Sequence, residues 1–270
     1  MDVLSADWLG ICRRVVAAQR AIFEQTPGIE ARTVYEGVGE GGDRALAIDR
    51  RCEDEVFAEL RELAEAGGSF VAVSEERGEV EFGSGGEARV VIDPIDGSLN
   101  ARRTLPQHSL SIAVASGASM ADVEFAYVYD FGAGEEFVAR RGAGASLDDT
   151  PIRVAADSDK LEVLGVESAE PEWMLPALGA LAGRVYRLRV VGSLAISVSY
   201  VAAGRFDAAL SLRPCRSVDV AAAQLIVREA GGSVAFGDLL LEEAGLGIEA
   251  RFPIAAAAGE AAMATINAAR

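Results

Sequence analysis

The stretch that decides the fold reads Val90-Val91-Ile92-Asp93-Pro94-Ile95-Asp96-Gly97-Ser98-Leu99-Asn100. Its β-branched, apolar beginning predicts a buried strand. The strand ends in two carboxylates with a proline between them, and the glycine that follows permits a turn in which a ligand can approach the main chain. Paired carboxylates suit a hard divalent cation, whereas the free N–H groups of a turn suit a phosphate. A strand end that offers both is suited to metal-assisted phosphoryl chemistry.

The motif Asp93-Pro94-Ile95-Asp96-Gly97-Ser98 is more specific than its two aspartates alone. A bare Asp-x-x-Asp-Gly is equally compatible with an acidic surface turn after a strand. The full string resembles the signature of the inositol monophosphatase superfamily, which includes inositol monophosphatases, fructose-1,6-bisphosphatases and 3′-phosphonucleotide phosphatases. A haloacid-dehalogenase phosphatase would have its two aspartates only two positions apart, so the spacing disfavours that class.

Composition and net charge indicate which compartment to expect for the protein and which partners to exclude. The chain has 270 residues, of which 50% are hydrophobic and 25% charged, as in soluble globular proteins. A net charge of −17 argues against broad nucleic-acid binding, and the longest apolar runs are too short to span a membrane. No signal peptide is visible, and Cys12, Cys52 and Cys215 are too scattered for a disulfide framework. We therefore expect a cytoplasmic protein that binds neither nucleic acid nor membrane.

The pattern of the chain divides it into two halves that form one catalytic unit. In residues 1–150 we expect amphipathic helices over 3–26 and 44–66, a strand over 70–73, and an antiparallel meander over 108–139, whose first strand alternates as if half-buried. The glycine-rich segment 36–43 suggests a mobile loop. Residues 151–270 alternate strand and helix, which favours a layered α/β half. The lone histidine, His108, is expected to have a structural role.

Three further acidic positions are candidate site residues. Asp49 lies one helical turn before Glu53 on the same helix face, although this spacing also fits a solvated carboxylate pair. Ser74-Glu75-Glu76 follows a strand and could be a surface turn, but neighbouring strands that end at one edge would bring it to Asp93. Asp219 falls in the first turn of a helix, where the helix dipole alone would favour an acid.

These positions extend the resemblance over nearly the whole chain. The superfamily's order is matched by Asp49, Ser74-Glu75-Glu76, the central motif, and Asp219 in Asp-Val-Ala-Ala before Glu-Ala-Gly-Gly. The chain looks most similar to the archaeal-type branch that combines fructose-bisphosphatase and inositol-monophosphatase activity. Val218 stands where many members have tryptophan, and Ser98 where threonine is usual. Neither departure removes a metal ligand.

The resemblance implies the α/β/α/β/α sugar-phosphatase fold, usually as a homodimer, and a division of labour among the site residues. Glu75, Asp93 and the Ile95 carbonyl would bind one Mg²⁺. Asp93, Asp96 and Asp219 would bind a second, and Glu75 would assist a weaker third, with Mn²⁺ a possible substitute. Gly97 and Ser98 would hold the phosphate, with the family-like Gly192 and Ser193 beside the substrate. Asp49 and Ser98 would orient the attacking water, with Glu75 as a further catalytic group.

Substrate selection is predicted from arginines near the C-terminal motifs. Arg189 precedes Gly192-Ser193 and Arg216 precedes Asp219, so both could form a positive rim that binds a second phosphate through bidentate hydrogen bonds. Ordinary solvated strand-end arginines would explain them equally well. The sequence therefore predicts a Mg²⁺-dependent phosphomonoesterase for fructose 1,6-bisphosphate or inositol 1-phosphate. The alternatives are a 3′(2′),5′-bisphosphate nucleotide phosphatase, another small-metabolite phosphatase, and a non-catalytic protein that binds Mg²⁺ or a sugar phosphate.

Overall fold

Two β-sheets alternate with three layers of helices, which confirms the predicted α/β/α/β/α arrangement. The computed structural model describes residues 1–35 and 46–268. The predicted mobile loop at 36–43 lies outside these residues. No helix in the described part of the chain is long and apolar enough to cross a membrane.

The first sheet has eight strands, which are β1 (Phe70–Ser74), β2 (Gly78–Phe82), β3 (Arg89–Asp96), β4 (Ser109–Ala115), β5 (Val123–Asp130), β6 (Glu135–Arg140), β7 (Gly144–Leu147) and β8 (Thr150–Pro151). Their spatial order is β2-β1-β3-β4-β5-β6-β7-β8. Strands β1 and β3 run parallel, and the strands from β3 onward are antiparallel. The meander predicted over 108–139 corresponds to β4, β5 and β6, and the structure extends it with β7 and β8, which were not predicted. Strand β2 was not predicted either, because it is a short edge strand whose two glutamates do not resemble a buried strand.

The first outer layer consists of α1 (Trp8–Gln25), the short α2 (Ile29–Arg32) and α3 (Ala47–Glu65). The predicted start of the first helix at residue 3 is wrong, because a 3₁₀ turn precedes it. Asp7 then caps α1 by accepting a hydrogen bond from the Gly10 N–H at 3.1 Å. The apolar stripes of α1 and α3 pack against β1, β3, β4 and β5, with Trp8 and Phe57 fully buried.

The second sheet has five strands in the order β10-β9-β11-β15-β13, which are β9 (Leu161–Glu167), β10 (Val185–Arg189), β11 (Ala208–Ser211), β13 (Ser233–Ala235) and β15 (Ala255–Ala257). A separate ribbon pairs β12 (Cys215–Arg216) with β14 (Arg251–Phe252). The strand-helix alternation predicted for this half is confirmed. Strands β12, β13 and β14 were not predicted, because they are only two or three residues long.

The middle layer holds α6 (Leu194–Ala202) and α7 (Ser217–Glu229) between the two sheets. Both helices are apolar on nearly every side, as expected of helices that contact a sheet on each face. They also cover the second face of β4, so every residue of that strand is buried and the prediction of a half-buried strand is wrong. The outer layer of the second sheet is α5 (Pro171–Leu181) and α8 (Glu260–Asn267), and the five-residue α4 (Ser98–Arg102) follows β3.

Candidate active site

A β-bulge brings the two aspartates of the central motif to one face of the sheet. In a regular strand, residues three positions apart point to opposite faces. On β3, however, Asp93 pairs with Ser111 and Asp96 with Ser109, so three steps on β3 match two on β4. The extra residue of the bulge therefore places both carboxylates on the same face of the sheet. Pro94 lies within this irregular segment, where a missing N–H donor is tolerated.

Both aspartates are held by hydrogen bonds in a buried environment. Asp93 Oδ1 accepts from the Ile95 N–H at 3.0 Å. Asp96 Oδ2 accepts from Ser193 Oγ at 2.5 Å and from the Ala195 N–H at 2.7 Å, at the beginning of α6. The Ile95 side chain is buried in a small apolar cluster under the motif. The motif is therefore anchored to the second half of the chain through Ser193.

Tight backbone contacts join the central motif to the loop around Gly192. Gly97 has φ 89°, and a Cβ on it would lie 2.9 Å from the carbonyl oxygens of both Gln107 and Gly192. Asn100 Nδ2 donates to the carbonyls of Gln107 at 2.7 Å and Val191 at 2.8 Å. The glycine at position 97 is thus required both by its conformation and by the space available.

Glu75 and Asp219 meet on either side of an arginine. Glu75 directly follows β1, and Asp219 lies in the first turn of α7. Arg216 Nη1 lies 2.5 Å from Glu75 Oε1, and its Nε lies 3.3 Å from Asp219 Oδ1. The Arg216 N–H also donates to Asp219 Oδ2 at 2.8 Å, which caps the helix.

Asp49, near the beginning of α3, has a buried oxygen that lacks a hydrogen-bond partner among the described residues. Its side chain lines a cavity of about 220 Å³ together with Glu75, Ser98 and Arg216. Burial raises the pKa of Asp49 to about 7, and the nearby Glu76 carboxylate adds to this increase. Glu53, on the same helix face, instead accepts hydrogen bonds from Ser74 Oγ and from Arg77 Nε.

Burial also raises the pKa values of the four carboxyl groups at the proposed metal site. The pKa of Glu75 rises to about 8 although Arg216 opposes the increase, and that of Asp96 rises to about 7. The pKa of Asp93 is raised well above its usual range, and Asp219 is shifted upward despite its contacts with Arg216. Buried carboxylates that repel one another need positive charge.

The donor chemistry of these residues fits magnesium. All the side-chain donors are carboxylate oxygens, which Mg²⁺ and Mn²⁺ prefer, and the unpartnered Asp49 oxygen adds an acceptor beside them. The positions of the side chains do not form a complete coordination set, since no three acidic, histidine or cysteine side chains among the described residues are arranged to hold a metal. Arg216 contacts two of the carboxylates instead.

A larger cavity of about 420 Å³ adjoins the carboxylates and contains residues that the sequence analysis missed. It is lined by Asp96, Gly192, Arg216 and Asp219, and also by Glu167, Ser168 and Arg251. Buried Glu167 accepts hydrogen bonds from the Val191 and Gly192 N–H groups at 3.0 and 2.9 Å. No motif marks Glu167 or Arg251, although the position of Glu167 at the end of a predicted strand was a usable signal.

Arg189 requires a correction. The structure does not bring it to either cavity, because it lies exposed at the end of the edge strand β10 and its Nη1 donates to the Leu188 carbonyl at 2.9 Å. Arg216 lines both cavities. His108 is buried between the rings of Phe23 and Phe131, away from both cavities, in agreement with a structural role.

Fold and site together define a phosphatase of the layered sugar-phosphatase class. The chain belongs to the inositol monophosphatase family, whose model matches residues 11–269, and it is a phosphoric monoester hydrolase. A fructose-1,6-bisphosphatase/inositol-1-monophosphatase of Methanothermobacter thermautotrophicus is 30% identical over 237 residues, 84% of this chain and 83% of the relative. Nus factor SuhB of Escherichia coli is 38% identical over 170 residues, 60% of this chain and 61% of the relative.

Solved structures show the same fold. An inositol monophosphatase-fructose 1,6 bisphosphatase superposes with a TM-score of 0.84 at 24% identity, covering 97% of this chain and 100% of the other. The extragenic suppressor protein SuhB of Bartonella henselae gives a TM-score of 0.79 at 26% identity, covering 98% and 99% of the two chains. The predicted fold class is therefore confirmed.

Proposed function

We propose that the protein hydrolyses the phosphate monoester of a small sugar or inositol phosphate, with fructose 1,6-bisphosphate and inositol 1-phosphate as candidate substrates. The names of the relatives from Methanothermobacter thermautotrophicus and Mesorhizobium japonicum support these substrates. The observation that carries the proposal is the buried oxygen of Asp49, which has no hydrogen-bond partner in the described part of the chain and lies beside Glu75 and Ser98. A protein that only binds a phosphate ester has no need of a proton acceptor at this position.

The residues that would hold two Mg²⁺ ions, and a weaker third, are the carboxylates of Glu75, Asp93, Asp96 and Asp219 with the carbonyl of Ile95. Mn²⁺ could replace Mg²⁺ because it prefers the same oxygen ligands. When bound, these ions would neutralise the phosphate and lower the pKa of the attacking water. The raised pKa values of Glu75 and Asp96 support the assignment, since buried carboxyl groups gain most from added positive charge.

The chain's own residues would position and activate the reactants. The first N–H groups of α4 and the Ser98 hydroxyl would bind the phosphate, because Gly97 turns the backbone there. Asp49 would orient the water and accept its proton, and a pKa of about 7 is well matched to a general base at neutral pH. Ser193 would keep Asp96 in place through its 2.5 Å hydrogen bond.

Arg251 and Arg216 support a preference for fructose 1,6-bisphosphate over inositol 1-phosphate. Both line the larger cavity, where a second phosphate could be bound at a distance from the reacting one. We expect Arg251→Ala to weaken use of the bisphosphate selectively, by ~1–3 kcal/mol in kcat/KM, as for a charged hydrogen bond. Arg189→Ala is the matched control and should change neither substrate. If the Arg251 variant loses kcat/KM equally for both substrates, Arg251 does not determine the choice between them.

Phosphate release over a panel of sugar, inositol and nucleotide phosphates, with and without chelator, tests the proposed function. Asp93→Asn and Asp219→Asn should each lower kcat by ~10³-fold or more, because each change removes a ligand of the ions that would stabilise the charge of the transition state. Glu172→Gln, at an exposed carboxylate on α5, is the control. Near-normal turnover in the Asp93 variant contradicts the metal assignment. Activity on nucleotide bisphosphates alone, or binding without turnover, would favour the alternative functions.

We also propose a cytoplasmic homodimer. The three buried, unpaired cysteines support a reducing compartment. The side chains of Leu175 on α5 and Tyr186 on β10 are apolar and 72% and 65% exposed, which supports self-association. Light scattering on wild type and Leu175→Glu tests the dimer. A monomeric wild-type protein at micromolar concentration contradicts it.

A further inference from the structure

Arg216 not only lines both cavities but also lies between two of the carboxylates. Its side chain is only 20% exposed, and its guanidinium contacts Glu75 and Asp219 at 2.5 and 3.3 Å. The guanidinium contacts Glu75 Oε1 and Asp219 Oδ1, and Asp219 Oδ2 accepts a hydrogen bond from the backbone N–H of Arg216. The arginine thus engages oxygens from two of the carboxylates that the proposed function assigns to metal.

These contacts have an electrostatic cause. Glu75 follows β1, Asp93 and Asp96 lie on β3, and Asp219 lies on α7, so three segments of the chain bring these carboxylates together. Their mutual repulsion has to be offset by positive charge. Arg216 is anchored for this task because β12 pairs its backbone with β14 and α7 begins at the next residue. The guanidinium therefore supplies charge to the site from within the chain.

We propose that Arg216 is an internal cation that competes with Mg²⁺ for Glu75 and Asp219, so that its displacement sets the metal affinity of the site. The inference rests on the proposed function. The same two oxygens cannot keep their ion pairs with a guanidinium and also coordinate a small cation. The long arginine side chain lines both cavities, so it can leave the carboxylates without a change in the backbone.

Calorimetric titration of metal-free protein with MgCl₂ tests the competition. Arg216→Gln should bind Mg²⁺ at least about fivefold more tightly than wild type, the lower end of typical coupling between ligands. Arg216→Lys should bind at least about twofold more tightly, because a single ammonium forms fewer simultaneous hydrogen bonds than a guanidinium. Arg213→Gln removes an exposed arginine that pairs with Glu170, and should leave the affinity within about twofold of wild type.

Thermal unfolding gives a second readout that does not depend on activity. In chelator, Arg216→Gln should melt at a lower temperature than wild type, because the carboxylates lose their counter-ion. Saturating Mg²⁺ should reduce this difference. Unchanged or weaker Mg²⁺ affinity in the Gln variant, or in the Lys variant if the Gln variant does not fold, overturns the inference while the proposed function stands. A wild-type protein that hydrolyses no phosphate ester and binds neither Mg²⁺ nor Mn²⁺ overturns the proposed function itself.

Discussion

Replacement of Asp49 by asparagine should make the metal-free protein more stable and the enzyme much slower. The carboxyl group is 6% exposed, and one of its oxygens lacks a hydrogen-bond partner among the described residues. A pKa raised from 3.8 to about 7 means that the folded protein binds this proton more tightly than the unfolded chain. Stability is therefore lost as the pH rises from about 4 through about 7, where the buried group must ionise.

The magnitude follows from that difference in pKa. At 1.36 kcal/mol for each pKa unit, the raised pKa of Asp49 costs about 4 kcal/mol of stability at pH 8, where the buried group is ionised. At pH 5 the cost is only about 1–2 kcal/mol, because the folded protein keeps a proton that the unfolded chain releases. An asparagine of nearly the same shape removes this cost. Urea unfolding in chelator should show an excess stability of Asp49→Asn over wild type that grows from pH 5 to pH 8. At the same time kcat should fall by ~10²-fold or more, the usual size of a general-base effect.

A control variant and two possible outcomes test this explanation for Asp49. Glu62→Gln, at an exposed position of the same helix, should change the free energy of unfolding by less than about 0.5 kcal/mol at either pH. If Asp49→Asn is no more stable than wild type at pH 8, the ionised carboxylate carries no cost of burial. A change in KM with kcat unaltered would show instead that Asp49 binds substrate and does not activate water.

Further outcomes are expected at other positions. Gly97→Ala should lower the free energy of unfolding by about 2–4 kcal/mol, because the position has a positive φ and the new Cβ would collide with two carbonyl oxygens. Gly142→Ala, at φ 72° in open space, should lower it by only about 1 kcal/mol, and equal losses in the two variants would show that the collision costs nothing. Burial lowers the pKa of His108 to about 4, so the free energy of unfolding of the wild type should fall by up to about 3 kcal/mol as the pH drops from 6.5 to 4. A His108→Gln variant that loses as much stability in acid would contradict this cause. Mg²⁺ should raise the melting temperature more at pH 8 than at pH 6, because Glu75 and Asp96, with pKa values of about 8 and 7, have to lose protons to bind it. An increase in melting temperature that does not depend on pH would contradict the assignment of these two ligands.

The local pattern of residues was sufficient for the order of most elements and for the acidic strand ends. Helices α1 and α3 and the meander from β4 to β6 follow from the hydrophobic period, since a buried stripe repeats within a few residues of sequence, and β3 follows from its continuous apolar run. Glu75, Asp93 and Asp96 were identified because carboxylates after buried strands are unusual. The same local signal is weak in edge or very short strands, and for that reason β2 and the ribbon of β12 with β14 were missed.

Only the tertiary structure decided how these residues meet. The bulge that turns Asp93 and Asp96 to one face depends on the pairing of β3 with β4, and a strand's own sequence does not specify its partner's register. The contacts of Arg216 with Glu75 and of Asn100 with Val191 join segments far apart in the chain, as does the entry of Arg251 into the cavity. Arg189, which precedes a family-like motif, lies at an exposed edge instead. Sequence patterns report the environment of each residue, whereas the site depends on distances between segments that only the packed layers determine.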